Sequence, residues 1–292
     1  MQNIELRLDA VAGWIAVIDL VVAIILAAAL LEIIWDLVTR YKKTLWETSA
    51  NILIGIGNII LEKSAYGLAF LIGLLLTEPF ALIDLPINTI TWIIAIILAD
   101  LAYYWMHRLE HQIRFLWTLH SVHHSSVEFD LTTALRLSWL EGLVEWIFFV
   151  PLVLIGFDAI QVLVSIATVV AYQTWIHTEK IGKLGWIDKV LNTPSVHRVH
   201  HGSNRQYIDK NYGGILIIWD RLFGSYEPEH EKVVYGLRKN IQTSNPVKIN
   251  FYEIYTLFLD CKQARSAREC WQFLVRRPGW KPEKPSDRWE QQ

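Results

Sequence analysis

Histidine is concentrated in one part of the chain, between His107 and His201. Nine of the ten histidines fall there, in three boxes that read HRLEH, HSVHH and HRVHH and in one segment that reads HTE. On a helix, side chains three or four residues apart lie on one face about 5–6 Å from each other. Such a face can chelate a metal ion. We therefore predict nine metal ligands: His107, His111, His120, His123, His124, His177, His197, His200 and His201.

The number of these histidines indicates how many ions they hold. A structural zinc ion takes four ligands, usually including thiolates, so nine imidazoles without a cysteine predict two ions with about four ligands each. Imidazole binds iron, copper and zinc, so the donor type does not identify the metal. We expect two iron ions ahead of paired copper, and a zinc hydrolase or structural zinc module is a third interpretation. His230 stands between Glu229 and Glu231 and is predicted to be an ordinary surface residue.

The composition indicates where these ligands lie. Of 292 residues, 53% are hydrophobic and 14 are tryptophan, which favours a membrane protein over a soluble enzyme. The net charge of −2 gives no broad basic surface, so we expect no nucleic-acid partner. Trp14 to Ile34 is apolar except for Asp19 and Glu32 and is long enough to cross a hydrocarbon core of about 30 Å.

Further apolar segments follow before the first box. Asn51 to Phe80 is predicted to form one long helix whose second half, from about Ser64, crosses the membrane; the alternative is a hairpin of two spans that turns at Glu62. The next span runs from about Ile87 to Tyr104 and continues without Gly or Pro into the first box.

After the second box, two apolar segments flank Gly156, from Leu143 to Ile155 and from Phe157 to Ile176. They form either a complete pair of spans or a re-entrant hairpin, and in both cases the two ends return to one side.

The positive charges predict the orientation. Arg40, Lys42 and Lys43 follow the first span, whereas the loop from Thr77 to Thr89 contains no basic residue. The positive-inside rule then places all nine histidines on the cytosolic face.

These segments predict an all-α fold: an integral membrane bundle of about four to five membrane segments with a cytosolic helical cap that carries the histidine-rich two-metal site. Thr193 and Pro194 predict the start of the helix that carries HRVHH. We expect one domain over residues 1–292, divided into membrane spans (1–106), the first two boxes (107–138), a membrane hairpin (139–176), the third and fourth histidine clusters in the cap (177–237) and a C-terminal amphipathic helix with its tail (238–292). That helix, between Lys248 and Arg277, is predicted to pack on the cap or to lie on the lipid surface.

The boxes and their surroundings resemble a known family. The stretches DLAYYWMHRLEH and NYGGILIIWDRLFGSYEP are similar to the fatty acid hydroxylase and sterol desaturase superfamily of membrane di-iron oxygenases, and WIHTEKIGKLGWIDKVLNTPSVHRVHH resembles its ether-lipid-cleaving branch. The resemblance runs from about Asp100 to Leu237.

The resemblance implies an oxidoreductase that uses two ferrous ions, O2 as a cosubstrate and an external reductant. An electron-donor protein and tetrahydrobiopterin are both candidates for that reductant. The implied reaction is the hydroxylation of a lipid C–H bond, which would cleave an alkyl ether lipid if the carbon adjoins the ether oxygen. A lipid or sterol desaturase on the same scaffold is the main alternative, and a zinc-binding membrane protein without redox chemistry is the other.

Carboxylates near the boxes could orient the imidazoles. A ligating histidine usually donates its second N–H to a carboxylate or a carbonyl. We expect catalytic roles for Glu179 and Asp130. Five other acids lie close enough in sequence to accept such a bond: Asp100, Glu110, Glu128, Asp209 and Asp220.

Overall fold

The computed structural model describes residues 2–39, 45–61 and 67–282 of the chain. These residues form helices joined by turns and loops, and the β-pairing among them is limited to two isolated bridges, between Leu191 and Leu216 and between Gly202 and Tyr235. The predicted all-α class is confirmed for this part of the chain.

Three apolar helices precede the first histidine box. They are α1 (Gln2–Val38), α2 (Leu45–Leu61) and α3 (Gly67–Thr77). The predicted first span, Trp14 to Ile34, lies within α1. Two alternatives were predicted for the next apolar segment, one helix that continues through Ser64 or a turn at Glu62, and both positions lie outside the described residues. The basic residues at positions 40–43 lie outside them as well.

Helix α4 (Thr89–Gln112) carries the first box without interruption, as its sequence predicts. Asn88 begins it with a capping box: its side chain accepts hydrogen bonds from the amides of Ile90 and Thr91, and the Thr91 hydroxyl accepts one from the Asn88 amide. These bonds satisfy amides that have no partner within the helix. The helix therefore starts at a fixed residue and carries His107 and His111 on its last turns.

The chain then passes through α5 (Arg114–His124), the short helices α6 (Gly142–Glu145) and α7 (Val150–Ile155), and α8 (Ala159–Gln173). Gly156 makes the turn between α7 and α8 with φ of 121°, and a Cβ there would lie 2.3 Å from the Ile83 carbonyl oxygen. A residue with a side chain would clash at this turn.

Helices α4 and α8 pack together through small and branched side chains, including Ala95, Ala99, Val162 and Val169. Within the described residues, Thr89–Gln112 and Ala159–Ile176 are long and apolar enough to cross a membrane. The first box lies on the last turns of the first segment, and His177 directly follows the second.

The last four helices are α9 (Pro194–His200), α10 (Ile218–Leu222), α11 (Pro246–Lys262) and α12 (Ala267–Val275). Thr193 is the N-cap residue of α9, as predicted, but its hydroxyl donates to Asp188 instead of accepting from the helix.

The C-terminal helix predicted between Lys248 and Arg277 is two helices. The chain turns after Lys262, and Ser266 caps α12 by accepting a hydrogen bond from the Glu269 amide. The end of the predicted tail, residues 283–292, lies outside the described residues.

Candidate metal centre

The nine histidines of the sequence prediction lie together in two adjacent buried clusters. In each cluster, one ring nitrogen from every histidine lies within 4.8 Å of the others. The first cluster has five members and the second has four: His107, His111, His120, His124 and His200; then His123, His177, His197 and His201.

Helix α5 contributes to both clusters because of its spacing. His120 and His124 are four residues apart on one face, and their Nε2 atoms lie 3.1 Å from each other in the first cluster. His123 lies between them in sequence and points to the second cluster, where its Nε2 is 3.1 Å from that of His177.

The histidines of helix α9 and of its C-cap residue are divided between the two clusters in the opposite way. His197 and His201 share the second cluster, with Nε2 atoms 3.1 Å apart, and His200 belongs to the first cluster. His177 follows α8 and completes the second cluster at 3.0 Å from the Nε2 of His197.

The outer nitrogens of several rings are held by backbone carbonyls. Nδ1 lies 2.9 Å from the Tyr212 oxygen in His107, 2.8 Å from the Gln173 oxygen in His177 and 2.9 Å from the Lys210 oxygen in His200. A carbonyl only accepts, so each Nδ1 carries the proton and each Nε2 of a neutral ring presents a lone pair to its cluster. These contacts fix the tautomer that a metal ligand needs.

His120 is held by two carboxylates instead. Its Nδ1 lies 3.3 Å from Oε2 of Glu110 and 3.7 Å from Oε1 of Glu141, and the other Glu141 oxygen accepts a hydrogen bond from the Ser138 amide. Burial lowers the pKa of His120, but the two acids outweigh burial and leave that pKa raised.

Two imidazole nitrogens that face each other in the first cluster show that the site can hold a cation. Nε2 of His107 and Nε2 of His120 are 3.0 Å apart; Nδ1 of His107 donates to the Tyr212 carbonyl, and Nδ1 of His120 lies 3.3 Å from a Glu110 carboxylate oxygen. Two lone pairs at that distance repel each other, and a proton or a metal cation between the two nitrogens removes the repulsion. The residues present therefore fit a bound cation.

Elsewhere in the site the imidazoles are neutral near pH 7. Burial, with neighbouring histidines, lowers the pKa of His124, His197 and His201 well below its ordinary value. Burial also lowers the pKa of His177 to about 4 and that of His200 to about 3. Metal ions bind the unprotonated ring, so these side chains are in the required form.

The acids predicted to be catalytic lie outside the two clusters. Asp130 is buried, and its carboxylate accepts from the Thr132 amide and hydroxyl, but it is near enough to His177 to favour the charged imidazole. Glu179 accepts a hydrogen bond from the Tyr235 hydroxyl. Their catalytic roles stay predictions.

Of the other acids named from sequence, two contact the boxes. Glu110 holds His120, and Asp209 lies 4.0 Å from Nδ1 of His111. Asp100 instead accepts from the amides at 215 and 216 and from the Trp219 indole. Sequence reasoning missed Glu141, although the two acids of the otherwise apolar stretch LSWLEGLVEW, Glu141 and Glu145, are a signal that could have identified it.

A cavity of about 380 Å³ opens onto the clusters. His120, His123 and His177 are among the residues that line it, and apolar side chains such as Phe70, Leu163 and Val170 line much of the remainder. A cavity of this size lies within the range of small-molecule binding pockets, about 300–1,000 Å³. It gives an apolar molecule access to histidines of both clusters.

Comparisons with known proteins agree with this geometry. Residues 92–225 match the family described as fatty acid hydroxylase. Alkylglycerol monooxygenase from Homo sapiens is 43% identical over 209 residues, which are 71% of this chain and 47% of that protein. An ornithine lipid hydroxylase from Rhizobium tropici is 29% identical over 46% of this chain and 41% of its own length.

A third relative, a Delta(7)-sterol 5(6)-desaturase from Gibberella zeae, is 25% identical over 54% of this chain and 51% of its own length. The chain thus spans about half the length of these curated relatives. No solved structure matches it significantly. The resemblance drawn from the histidine boxes is confirmed.

Proposed function

We propose that this chain, whose residues 92–225 match the fatty acid hydroxylase family, is a membrane-bound non-haem di-iron oxygenase that hydroxylates a lipid C–H bond. The observation that carries the proposal is the pair of buried clusters, which supply five and four imidazoles beside one apolar cavity. Two ferrous ions would supply the activation of O2, with electrons from an external donor. Nine histidine ligands and an apolar access route fit that chemistry.

The number of nitrogens supports iron over tetrahedral zinc. A tetrahedral zinc ion takes four ligands. The first cluster alone supplies five imidazole nitrogens within 4.8 Å of one another, which is more than such an ion would use.

The protein's own groups would hold the substrate and exclude water. The apolar walls of the cavity suit an alkyl or acyl chain, and Gln173 and Glu141 add polar groups to its lining. Phe129 is buried, and its ring centroid lies 5.5 Å from that of His177 and 5.0 Å from that of His201, so it shields the second cluster. The lipid would enter with its reacting carbon close to the histidines.

The relatives suggest the substrate. Two of those compared bear names of lipid monooxygenation or hydroxylation, and the most similar of the three is an alkylglycerol monooxygenase. We infer that an alkyl ether lipid is the first substrate to test. A desaturase is the alternative favoured by the sterol desaturase relative, because the two reactions differ in how the substrate is held. A multi-pass arrangement with the site on the cytosolic face completes the proposal.

Product analysis tests the reaction. The purified protein is reconstituted with iron and incubated with an alkylglycerol, 18O2 and a reductant, using tetrahydrobiopterin in one series and a reduced electron-donor protein in another. We expect a product that contains 18O. A product with only a new double bond would support the desaturase instead. Stoichiometric zinc in the isolated protein, with no O2 consumption after iron reconstitution, would contradict both oxygenase assignments.

A further inference from the structure

Helix α11 has two apolar faces, and the described part of the chain covers one of them. Its inner face packs against α5 and α2, with Ile249 buried among Ala50, Ile54 and Val122. A helix on the surface of a soluble domain normally has one apolar stripe, so the second one needs its own partner.

Four side chains form this second stripe, at spacings of four, four and three residues. At about 100° per residue they fall within an arc of about 80°. The exposed fraction of the side chain is 55% for Val247, 40% for Phe251, 60% for Tyr255 and 60% for Phe258. On α12, Trp271 is also exposed. Together these five residues are the outer face of the C-terminal helix pair.

The exposed charged side chains of this C-terminal segment have one sign. Every exposed charged side chain from residue 246 to residue 281 is basic: Lys248, Lys262, Arg265, Arg268, Arg276, Arg277 and Lys281. The acids of this segment are not exposed: Glu253 is half-buried, Asp260 is bound by Arg114 and Lys281, and Glu269 is bound by Arg265. The whole chain carries −2, so this basic surface is local.

The stripe is continuous with another exposed apolar surface. Phe251 packs edge-on against Trp139, and the Trp139 indole donates a hydrogen bond to the Ile54 carbonyl of α2. Along α2, Leu53, Ile56 and Ile60 are exposed as well. The outer face therefore extends a surface that already suits lipid.

We propose that the outer face of α11 and α12 lies on the bilayer and binds anionic lipid head groups. The aliphatic and aromatic side chains would enter the boundary between head groups and acyl chains, and the basic side chains would contact lipid phosphates. Basic amphipathic helices with aromatic residues bind anionic membrane surfaces in this way. A second copy of the chain fits less well, because it would bring two basic surfaces together. This inference does not depend on the metal or on the reaction.

Spin labelling of the full chain in lipid nanodiscs tests the contact. In a background with Cys261→Ser and Cys270→Ser, a label is attached at Tyr255→Cys or Phe258→Cys, and Lys239→Cys provides an exposed reference. Collisions with O2 and with a water-soluble nickel complex report lipid and water. We expect the labels at 255 and 258 to meet O2 more often, and nickel less often, than the reference. Nickel accessibility equal to the reference would overturn the proposal.

Lipid charge and matched charge reversals test the electrostatic part. In nanodiscs with phosphatidylglycerol, the labels should be more protected from nickel than in phosphatidylcholine alone. Each basic residue near an anionic surface strengthens attachment about fivefold, so Lys262→Glu with Arg268→Glu should remove most of that difference. Lys232→Glu with Arg238→Glu changes the net charge equally and should leave it intact. Equal effects of the two pairs would overturn specific anionic-lipid binding. Strong spin–spin coupling between labels on two copies would assign the face to a dimer instead.

Discussion

Glu110 and Glu141 should control how tightly the first cluster binds its metal. Both acids approach the same Nδ1 of His120, at 3.3 Å and 3.7 Å. A carboxylate on the outer nitrogen fixes the ring and increases its basicity, and loss of such a partner typically weakens metal binding about 10–100-fold. Because two carboxylates approach one ring nitrogen, either can substitute for the other. Their removal should therefore be strongly non-additive.

The distances predict the sizes of the effects. Glu110→Gln should weaken metal binding about tenfold, because Glu110 is the closer acid. Glu141→Gln should leave metal binding nearly unchanged while Glu110 is present, because Glu141 is farther away and is also held by the Ser138 amide. The double variant should bind the metal about 100-fold more weakly, which is a total loss of about 2.7 kcal/mol. This total exceeds the sum of the losses in the two single variants.

Anaerobic Fe²⁺ competition titrations against a chromophoric chelator measure these affinities. Thermal unfolding of each metal-free variant shows whether the fold is intact, and Glu231→Gln is a matched control on an exposed carboxylate that bonds to Asn204. Restoring a carboxylate with Glu110→Asp should recover part of the affinity. A double variant that binds iron like the wild type would refute the positioning role. Single variants that each lose as much as the double variant would refute the shared function.

Two further predictions concern ligand number and backbone strain. His177→Ala removes one of the four nitrogens of the second cluster and should lower bound iron from about two ions to about one, whereas His230→Ala should retain both; loss of iron from the His230 variant would show that the ligands are wrongly divided. Gly156→Ala should lower the unfolding free energy by more than about 1–3 kcal/mol, because the new Cβ would meet the Ile83 oxygen at 2.3 Å. Gly185→Ala, at φ of 71° with nothing within 4 Å of the added atom, should cost about 1–2 kcal/mol, and equal melting shifts would contradict the clash.

Local sequence patterns predicted the parts of the site that depend on neighbouring residues. The apolar run before His107 contains no Gly or Pro, so one helix could carry the first box, and α4 does so. The i, i+4 spacing of the boxes likewise predicted shared faces. These properties follow from the geometry of one helix and need no knowledge of the packing.

The parts that failed depend on contacts distant in sequence or on a weak turn signal. Glu141 reaches His120 only after the chain has passed through a loop and a 3-10 turn, so no spacing rule connects them. The split between α11 and α12 was missed because Gln263 to Ser266 contains neither Gly nor Pro. The basic residue in that segment is equally compatible with one continuous amphipathic helix.

The division of the histidines follows one rule. An i, i+4 pair stays in one cluster, and the histidine just before the second member of the pair turns to the other cluster. By that rule α5 gives a pair to the first cluster and α9 gives a pair to the second, and each sends its remaining histidine across.

Helices α5 and α9 contribute to both clusters, and the two clusters differ in the histidines that they receive from elsewhere. The first cluster receives the pair from α4 and reaches five nitrogens, whereas the second receives only His177 and stops at four. The second cluster is therefore the one with more room for ligands that the protein does not supply. Its members His123 and His177 line the apolar cavity, together with His120 from the first cluster. The lower ligand number and the access route coincide, and we expect the reacting carbon of the substrate to approach this side of the centre.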